Sequence, residues 1–592
     1  MKSVTAELAF AEYVHPKLGR WLGPTKSLGA ILAYGAISFW YFGRPLWGHF
    51  GSRYVGGGTD PTDIFMWALS WWPWAVSHFT NPFFTGYIWA PLGINLVWVG
   101  SIPLPSLFLW PVTNMAGPVV AYNILMLSAP VLAASAAYLL IRQLTGSIWI
   151  GFWGGYVYGF SSYFLGHMLG HSNLVLGFVP PLLAYLLLKG SENGKRKFSL
   201  KLALEVAALL AAQFLMSTEI FATMAVFGVL FLALAWLAAP VNRQRLVFVG
   251  KTLACGYFVA LVVVSPFLYY LTQNGPYTGV PEPPSVYATD ALNFVIPTPL
   301  SVFGPRFAHV SALFSGNYAE ETAYLGVPLL VLLFIAVVHC WNNRWVRAAS
   351  LTLVGIVIAT MGPVLRVAGI SFGPVFHIYH IPVGAMPWLI FTHLPLIRDA
   401  LPGRFTMYVF LLAGCIGGWY LAQLNRIWSI PLAVLSILFL MPSISSGQIA
   451  PWTEIAAPPF ITQRLYEQYI PHGANVLAFP SGQVGGEWSL YQAESGFWFR
   501  LAEAHIGTPG PPPPWANWQM AQQLFDGQIP SGPTAPRQFQ AFLVAAKVRE
   551  VISSAPAPAG LGELARATGL AFVGKSGGVI IWRVPSEIWS GT

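Results

Sequence analysis

Long uninterrupted runs of apolar residues recur along this chain and restrict its fold more than any other feature. A helix needs roughly 20 residues to cross a hydrocarbon core about 30 Å thick, and several runs approach that length. Only 9% of the residues are charged and 55% are hydrophobic, whereas an average soluble domain has roughly 25% charged residues. The sequence therefore predicts an all-α multi-pass membrane protein with about eleven transmembrane helices. The runs lie near 27–43, 118–141, 147–165, 173–188, 202–218, 220–238, 252–271, 324–340, 348–365, 405–422 and 427–445.

The hydropathy pattern divides the chain into three parts. Residues 1–26 form a polar N-terminal segment, residues 27–445 form the transmembrane domain with a long first loop at 44–117, and residues 446–592 form a tail. Apolar runs in the tail shrink to strand length in "NVLAFP", "REVISS", "LAFVG" and "GVIIWRV", with helical spacing near 458–470 and 535–546. The tail is predicted to be a small α/β domain, and its proline-rich segment 507–515 is predicted to be a loop.

The distribution of Lys and Arg predicts the orientation. If the N-terminus is cytoplasmic, sixteen basic residues lie on the cytoplasmic side, including Lys195, Arg196 and Lys197, against six on the opposite side before the tail. This asymmetry follows the positive-inside rule and makes the long loops and the tail extracytoplasmic. The same rule accounts for the net charge of +9, so no nucleic-acid partner is expected. We expect the protein to lie in a bacterial inner or plasma membrane.

The first external loop contains the leading catalytic candidates, Asp60 and Asp63. They follow the flexible sequence "GGGT" and begin a segment, Thr62 to His78, with helical spacing and several tryptophans. This segment is predicted to be an amphipathic helix lying in the membrane interface. A structural role for Asp60 as the N-cap of that helix remains an equal alternative.

Further ionisable residues stand near the predicted external ends of membrane segments, where charge is costly. His167 and His171 are four residues apart, so one helix face could present both to a metal ion or a phosphate; hydrogen bonding to other loops is the alternative. Glu219 requires a partner from elsewhere in the fold. The three cysteines have no metal-ligand spacing.

Two pairs of charged residues complete the candidate site. Glu320 and Glu321 precede one predicted helix, and Arg398 and Arg404 precede another. Arginine binds phosphate through two parallel hydrogen bonds, but for either arginine alone an ordinary ion pair, such as Arg398 with Asp399, is favoured.

All these residues map to the same predicted face of the membrane. Carboxylates that accept a proton and cations that stabilise a departing phosphate are the groups required for sugar transfer from a lipid phosphate.

The order of elements also resembles the GT-C glycosyltransferase superfamily. The segments "DPTDIFMWALSWWPWAV", "NPFFTGYIWAPLGINL", "DALNFVIPTPLSVFGP", "ETAYLGVPLL" and "LPGRF" resemble bacterial YfhO-like and related GT-C-like membrane proteins. The resemblance covers the membrane portion and implies that an acidic residue of the first external loop is the catalytic base. Asp60 occupies that position, and Asp63 is the second candidate. The paired-acid motif of many family members is absent, so the resemblance assigns no cofactor and leaves binding of a divalent cation open.

These observations favour an inverting glycosyltransferase. It would use a polyprenyl-phosphate-linked sugar as donor and a glycan, lipid or protein as acceptor, with membrane lipids around it. Two other functions stay open at this point: a lipid or small-molecule transporter or flippase, and a non-enzymatic scaffold subunit of a membrane complex.

Overall fold

The computed structural model describes residues 24–57, 63–192, 198–240, 243–273, 283–373, 376–378, 381–383, 386–388, 391, 400–443, 452–455, 457–505 and 518–590. The chain forms two compact units. The first comprises residues 1–45, 126–263 and 282–451, and the second comprises 46–125, 264–281 and 452–592. Each unit is therefore assembled from three separate stretches of sequence.

The first unit is helical, and a helix is present in each of the eleven predicted apolar runs. Two runs contain a break: one at Phe160 and Ser161, and one at Val264, just before Pro266. A proline lacks the N–H that would continue a helix from the preceding turn, so the second break has a local cause. The helices are Pro24–Ser38, Pro118–Thr145, Ile148–Gly159, Ser162–His167, Val179–Glu192, Leu200–Met216, Thr218–Ala238, Arg243–Val263, Val327–Cys340, Arg344–Thr360, Thr406–Leu421 and Arg426–Leu440, with a π-helical turn at Phe39–Gly43.

Side-chain caps mark where several of these helices begin. Ser147, Ser199 and Ser217 each accept a hydrogen bond from the backbone N–H three residues later, and Asn343 accepts from the backbone N–H groups two and three residues later. These bonds satisfy N–H donors that the first turn of a helix leaves unpaired.

Four helical segments among the described residues are long and apolar enough to cross a membrane. Two shorter apolar helices, Val327–Cys340 and Arg426–Leu440, accompany them. Apolar side chains on these helices point outward, including Phe258 (69% exposed) and Phe334 (71%). Water would not stabilise such surfaces but lipid does, so the protein is a membrane protein. The four long segments are Pro118–Thr145, Thr218–Ala238, Arg243–Val263 and Pro402–Leu421.

Short turns and hairpins connect the later helices of the first unit. They include the 3-10 turns Ala291–Phe294, Gly304–Phe307 and Pro402–Phe405, the short helix Ala308–Ser311, and two hairpins, Leu365–Val367 with Ile370–Phe372 and Phe376–Ile378 with Ile381–Val383.

The second unit combines parts of the first loop with the tail. Arg53–Val55 pairs antiparallel with Trp452–Glu454, and Phe84–Thr85 pairs with Ile94–Asn95. Its helices are Asp63–Ser77, Pro103–Phe108, Trp110–Ala116, Ser265–Thr272, Pro459–Thr462, Tyr466–Tyr469, Glu487–Glu494, Trp518–Phe525, Ala535–Ala545, Leu561–Ala567 and Ser586–Ser590, with 3-10 turns at Leu96–Trp98 and Gly482–Val484.

A five-stranded mixed sheet organises the tail. Its order is Arg500–Leu501, Asn475–Phe479, Val548–Ser554, Val579–Arg583 and Ala571–Ser576. The first three strands are parallel and the last two add antiparallel. All four segments with predicted strand patterns are strands of this sheet. The predicted proline-rich loop at 507–515 lies outside the described residues.

The helix Asp63–Ser77 has the predicted extent and is largely covered by protein, while its position in the membrane interface stays a prediction. Ten of its residues are buried, and it packs against Glu487–Glu494 and Pro103–Phe108. The indole N–H of Trp67 donates to Gln492 over 2.9 Å, and Trp67 and Trp71 stack on each other and contact Phe497. Protein therefore covers the tryptophans that an interfacial helix would present to lipid.

Candidate active site

A buried ion-pair network in the first unit brings together three predicted site residues, Glu219, Glu320 and Arg404. The Arg404 Nε donates to both carboxylate oxygens of Glu320, at 2.9 and 3.1 Å, and Nη2 donates to Glu320 Oε1 at 2.5 Å. Its Nη1 donates to Glu219 Oε2 at 2.7 Å. All three side chains are largely buried: Arg404 and Glu219 are each 18% exposed, and Glu320 is 3% exposed. Arg404 thus forms the ion pair that the sequence offered as an alternative to phosphate binding. Its guanidinium group bonds to two carboxylates.

The two histidines extend this network. His167 ends the helix Ser162–His167, and its Nδ1 lies 3.4 Å from Nδ1 of His171. Nε2 of His171 lies 3.9 Å from Glu320 Oε1. The two rings lie together as expected, but His171 follows the end of this helix, in a turn where its N–H donates to the His167 carbonyl at 2.9 Å, instead of lying on the same helix face.

This group has the composition of a metal site. One ligand atom from each of His167, His171 and Glu320 lies within 4.8 Å of the others. Nε2 of His167 is buried without a hydrogen-bond partner, which is unusual for a buried polar atom. Two imidazoles and a carboxylate are ligands that zinc and similar divalent ions accept, so these residues fit such an ion.

The charges in the network also favour a cation. Glu219 Oε1 is buried without a hydrogen-bond partner. Burial alone would raise the pKa of Glu320, but Arg404 and the histidines lower it to about 2. Glu320 therefore stays ionised at neutral pH, and its carboxylate can bind a cation.

The segment carrying Glu320 is fixed by hydrogen bonds from several directions. Asn317 Oδ1 accepts from the backbone N–H groups of Ala319 and Glu320, at 3.0 and 3.1 Å. Asn293 Oδ1 accepts from Ala323 N–H at 2.8 Å, and Ser162 Oγ donates to the Tyr324 carbonyl at 2.7 Å. Sequence analysis missed Asn293 and Asn317 because an isolated asparagine carries no pattern of its own.

Glu321 faces a different environment from that of its neighbour Glu320. Burial raises its pKa to about 8, with a further contribution from Asp290. Asp290 in turn accepts hydrogen bonds from the N–H groups of Leu292, Ala368 and Gly369. Glu321 is therefore mostly protonated at neutral pH, unlike Glu320.

Of the predicted acids of the first loop, Asp63 lies in the second unit. Asp60 lies outside the described residues, as does Arg398. Asp63 begins the helix Asp63–Ser77, and its Oδ1 is buried without a hydrogen-bond partner. Burial, and then the neighbouring Glu487, raise its pKa to about 7. Sequence analysis missed Glu487, because nothing in the first loop indicates which part of the tail contacts it.

Comparison with solved structures shows which known folds this architecture resembles. The chain is similar to the Archaeoglobus fulgidus oligosaccharyltransferase, crystallised with Zn and sulfate, with a TM-score of 0.51 and 11% identity over 89% of this chain and 68% of that one. ArnT from Cupriavidus metallidurans, bound to undecaprenyl phosphate, gives a TM-score of 0.46 and 10% identity over 96% of this chain and 99% of that one. Identities this low show the fold alone, which is the GT-C fold expected from the sequence.

The amino-acid sequence matches the model of a family whose description gives no activity. No curated protein sequence matches the chain. Residues 31–439 match the model of a family described as "Domain of unknown function (DUF6311)". The match covers most of the membrane portion, including Glu219, Glu320 and Arg404. The chain therefore belongs to the DUF6311 family.

Proposed function

We propose that this protein is a glycosyltransferase that moves a sugar from a polyprenyl-phosphate donor to an acceptor, with inversion at the anomeric carbon. The observation that supports it best is the buried network of Glu219, Glu320, Arg404, His167 and His171 within a GT-C fold. The similar Archaeoglobus protein is an oligosaccharyltransferase crystallised with Zn. The donor class follows from the resemblance noted in the sequence.

In this proposal His167, His171 and Glu320 hold a divalent cation. A cation bound there would supply positive charge to a phosphate leaving group. Arg404 orients Glu320 through paired hydrogen bonds and keeps it ionised, because the guanidinium stabilises the carboxylate. The remaining N–H groups of Arg404 are available to donate to phosphate oxygens.

The catalytic base is assigned from the sequence resemblance. Asp60 would accept the proton of the acceptor hydroxyl while the hydroxyl oxygen bonds to the anomeric carbon. At the same time the bond between the anomeric carbon and the phosphate oxygen breaks, and the phosphate leaves with the electron pair. Asp63 is the second candidate, and a pKa of about 7 suits proton transfer at neutral pH. Glu321, which is largely protonated at neutral pH, is not assigned as a base.

The proposed orientation has the N-terminus in the cytoplasm and the tail outside. Gln468 is exposed in the tail, so a single cysteine at this position, in a variant lacking the native cysteines, should react with an impermeant maleimide added to intact cells. A cysteine at Arg196 should react only after permeabilisation. The opposite pattern would reject the orientation.

The function is tested with purified protein in liposomes supplied with a panel of polyprenyl-phosphate sugars and the membrane extract as acceptor source. Glu320→Gln should reduce transfer by roughly 10²-fold or more, the scale expected for a lost electrostatic contribution. Glu205→Gln is the matched control, because Glu205 makes only an exposed i,i+4 pair with Lys201 at 3.9 Å. No transfer above empty liposomes with any donor, or full activity of Glu320→Gln, would reject the proposal.

A further inference from the structure

We infer that two glycines, Gly166 and Gly403, are positioning residues that set where Glu320 lies relative to Arg404 and the histidines. The inference rests on the proposed function for its catalytic meaning but not for its geometry. Each glycine directly precedes a residue of the network in the sequence: "GH" at 166–167 and "GR" at 403–404.

Gly166 lies where the helix Ser162–His167 meets the segment that carries Glu320. A Cβ on Gly166 would lie 2.8 Å from the Ala319 carbonyl oxygen and would overlap the methyl group of Thr322. Real Cβ atoms do not approach other atoms this closely. The segment therefore packs directly on the helix backbone, one residue before His167.

Gly403 makes the equivalent close approach from the other side of the network. A Cβ on Gly403 would lie 2.6 Å from the Glu320 carbonyl oxygen and 3.2 Å from that of Tyr287. The Gly403 N–H also donates to the Tyr287 carbonyl at 3.1 Å, and Thr322 Oγ1 lies 2.9 Å from Thr406 Oγ1. The turn containing Gly403 is thus fixed in place and cannot easily move away from an added methyl group.

The Ala319–Thr322 segment consequently lies against two glycines. The Glu320 side chain bonds to Arg404, which follows Gly403, and lies within 4.8 Å of His167, which follows Gly166. Hydrogen bonds between guanidinium and carboxylate groups are formed within a narrow distance range, about 2.7–2.9 Å. A methyl group at either glycine must displace the Ala319–Thr322 segment by a few tenths of an ångström or more. That displacement would lengthen the bonds between Glu320 and Arg404 without removing either side chain.

The proposal is tested by the effect of Glu320→Gln on Tm in three backgrounds: wild type, Gly403→Ala and Gly159→Ala. Gly159→Ala is the matched control, because its Cβ would lie 2.6 Å from the Pro130 carbonyl oxygen and from the Ala134 backbone nitrogen, away from the Glu320 segment. Glu320→Gln should lower Tm by similar amounts in wild type and Gly159→Ala. In Gly403→Ala, where the pair with Arg404 is already weakened, the loss should be less than half as large.

An undiminished Tm loss in the Gly403→Ala background would overturn the inference. If Gly403→Ala does not fold, Gly166→Ala takes its place with the same expectation. If neither variant folds while Gly159→Ala does, the two glycines are general requirements of the fold and the positioning role is rejected. No substrate is needed, so this result is independent of transfer activity, whose absence would count only against the proposed function.

Discussion

Replacing Arg404 by methionine should be the most damaging single change in the first unit. The side chain donates four hydrogen bonds to Glu219 and Glu320, and its removal leaves two buried carboxylates facing each other. Hydrogen bonds to charged groups contribute about 1.5–3 kcal/mol each but are not additive. Removing one partner of a buried ion pair costs about 3–5 kcal/mol, and we expect Arg404→Met to reduce the free energy of unfolding by that amount.

The assay is denaturant unfolding of the purified protein in mixed micelles. Arg347→Met is the control, because Arg347 Nη2 donates to a single carbonyl, that of Ala238, at 3.3 Å, and its loss should cost about 1 kcal/mol. Adding Glu320→Gln to Arg404→Met should recover part of the lost stability, since it removes one of the unpaired charges. The argument fails if Arg404→Met costs no more than Arg347→Met, or if Glu320→Gln makes the Arg404→Met protein still less stable.

Three other predictions concern cation binding, pH and catalysis. Calorimetric titration should show that the protein binds Zn²⁺ and that His171→Ala weakens this affinity by at least about tenfold. His78→Ala, at an exposed histidine, should leave the affinity unchanged. Equal affinities of wild type and His171→Ala would exclude the site. The pKa of Asp63 rises from 3.8 to about 7 on folding, so the folded state binds more protons and stability should fall as pH rises from about 4 to 7. Asp63→Asn should therefore reduce the difference in Tm between pH 5 and pH 7.5. An unchanged difference in Tm would contradict this prediction. Asp60→Asn should slow transfer roughly 10²-fold, and a fully active variant would end its candidacy as base.

Helices could be predicted well from this sequence because their signal is local. Apolar runs located a helix in every case, and the segment Thr62 to His78 differs from the observed Asp63–Ser77 by one residue at each end. The break before Ser265–Thr272 was not predicted, because a continuous apolar run hides the effect of Pro266. Membrane insertion follows from total hydropathy and needs no knowledge of tertiary contacts.

Tertiary partners were less accessible from the sequence. Residue type and a shared membrane face indicated Glu219 and Arg404 as site residues, yet their direct contact joins positions 185 residues apart, and no local pattern encodes it. The burial of the helix Asp63–Ser77 by the tail was not predicted for the same reason. Its tryptophans have the composition of a lipid-facing surface, and only the tail residues Gln492 and Phe497 reveal that protein covers them.

The discontinuous second unit has a consequence for biosynthesis. Trp67 of the first loop bonds to Gln492, which is synthesised 425 residues later, and Arg53–Val55 pairs with Trp452–Glu454. Chain segments emerge at about 5–20 residues per second, so the loop must wait roughly 20–85 s for its partners. During that interval Trp67 and Trp71 have no tail to cover them, and the nascent chain presents an aggregation-prone surface. The cell would need to protect this loop, by lipid or by a chaperone, until the last quarter of the protein has been synthesised.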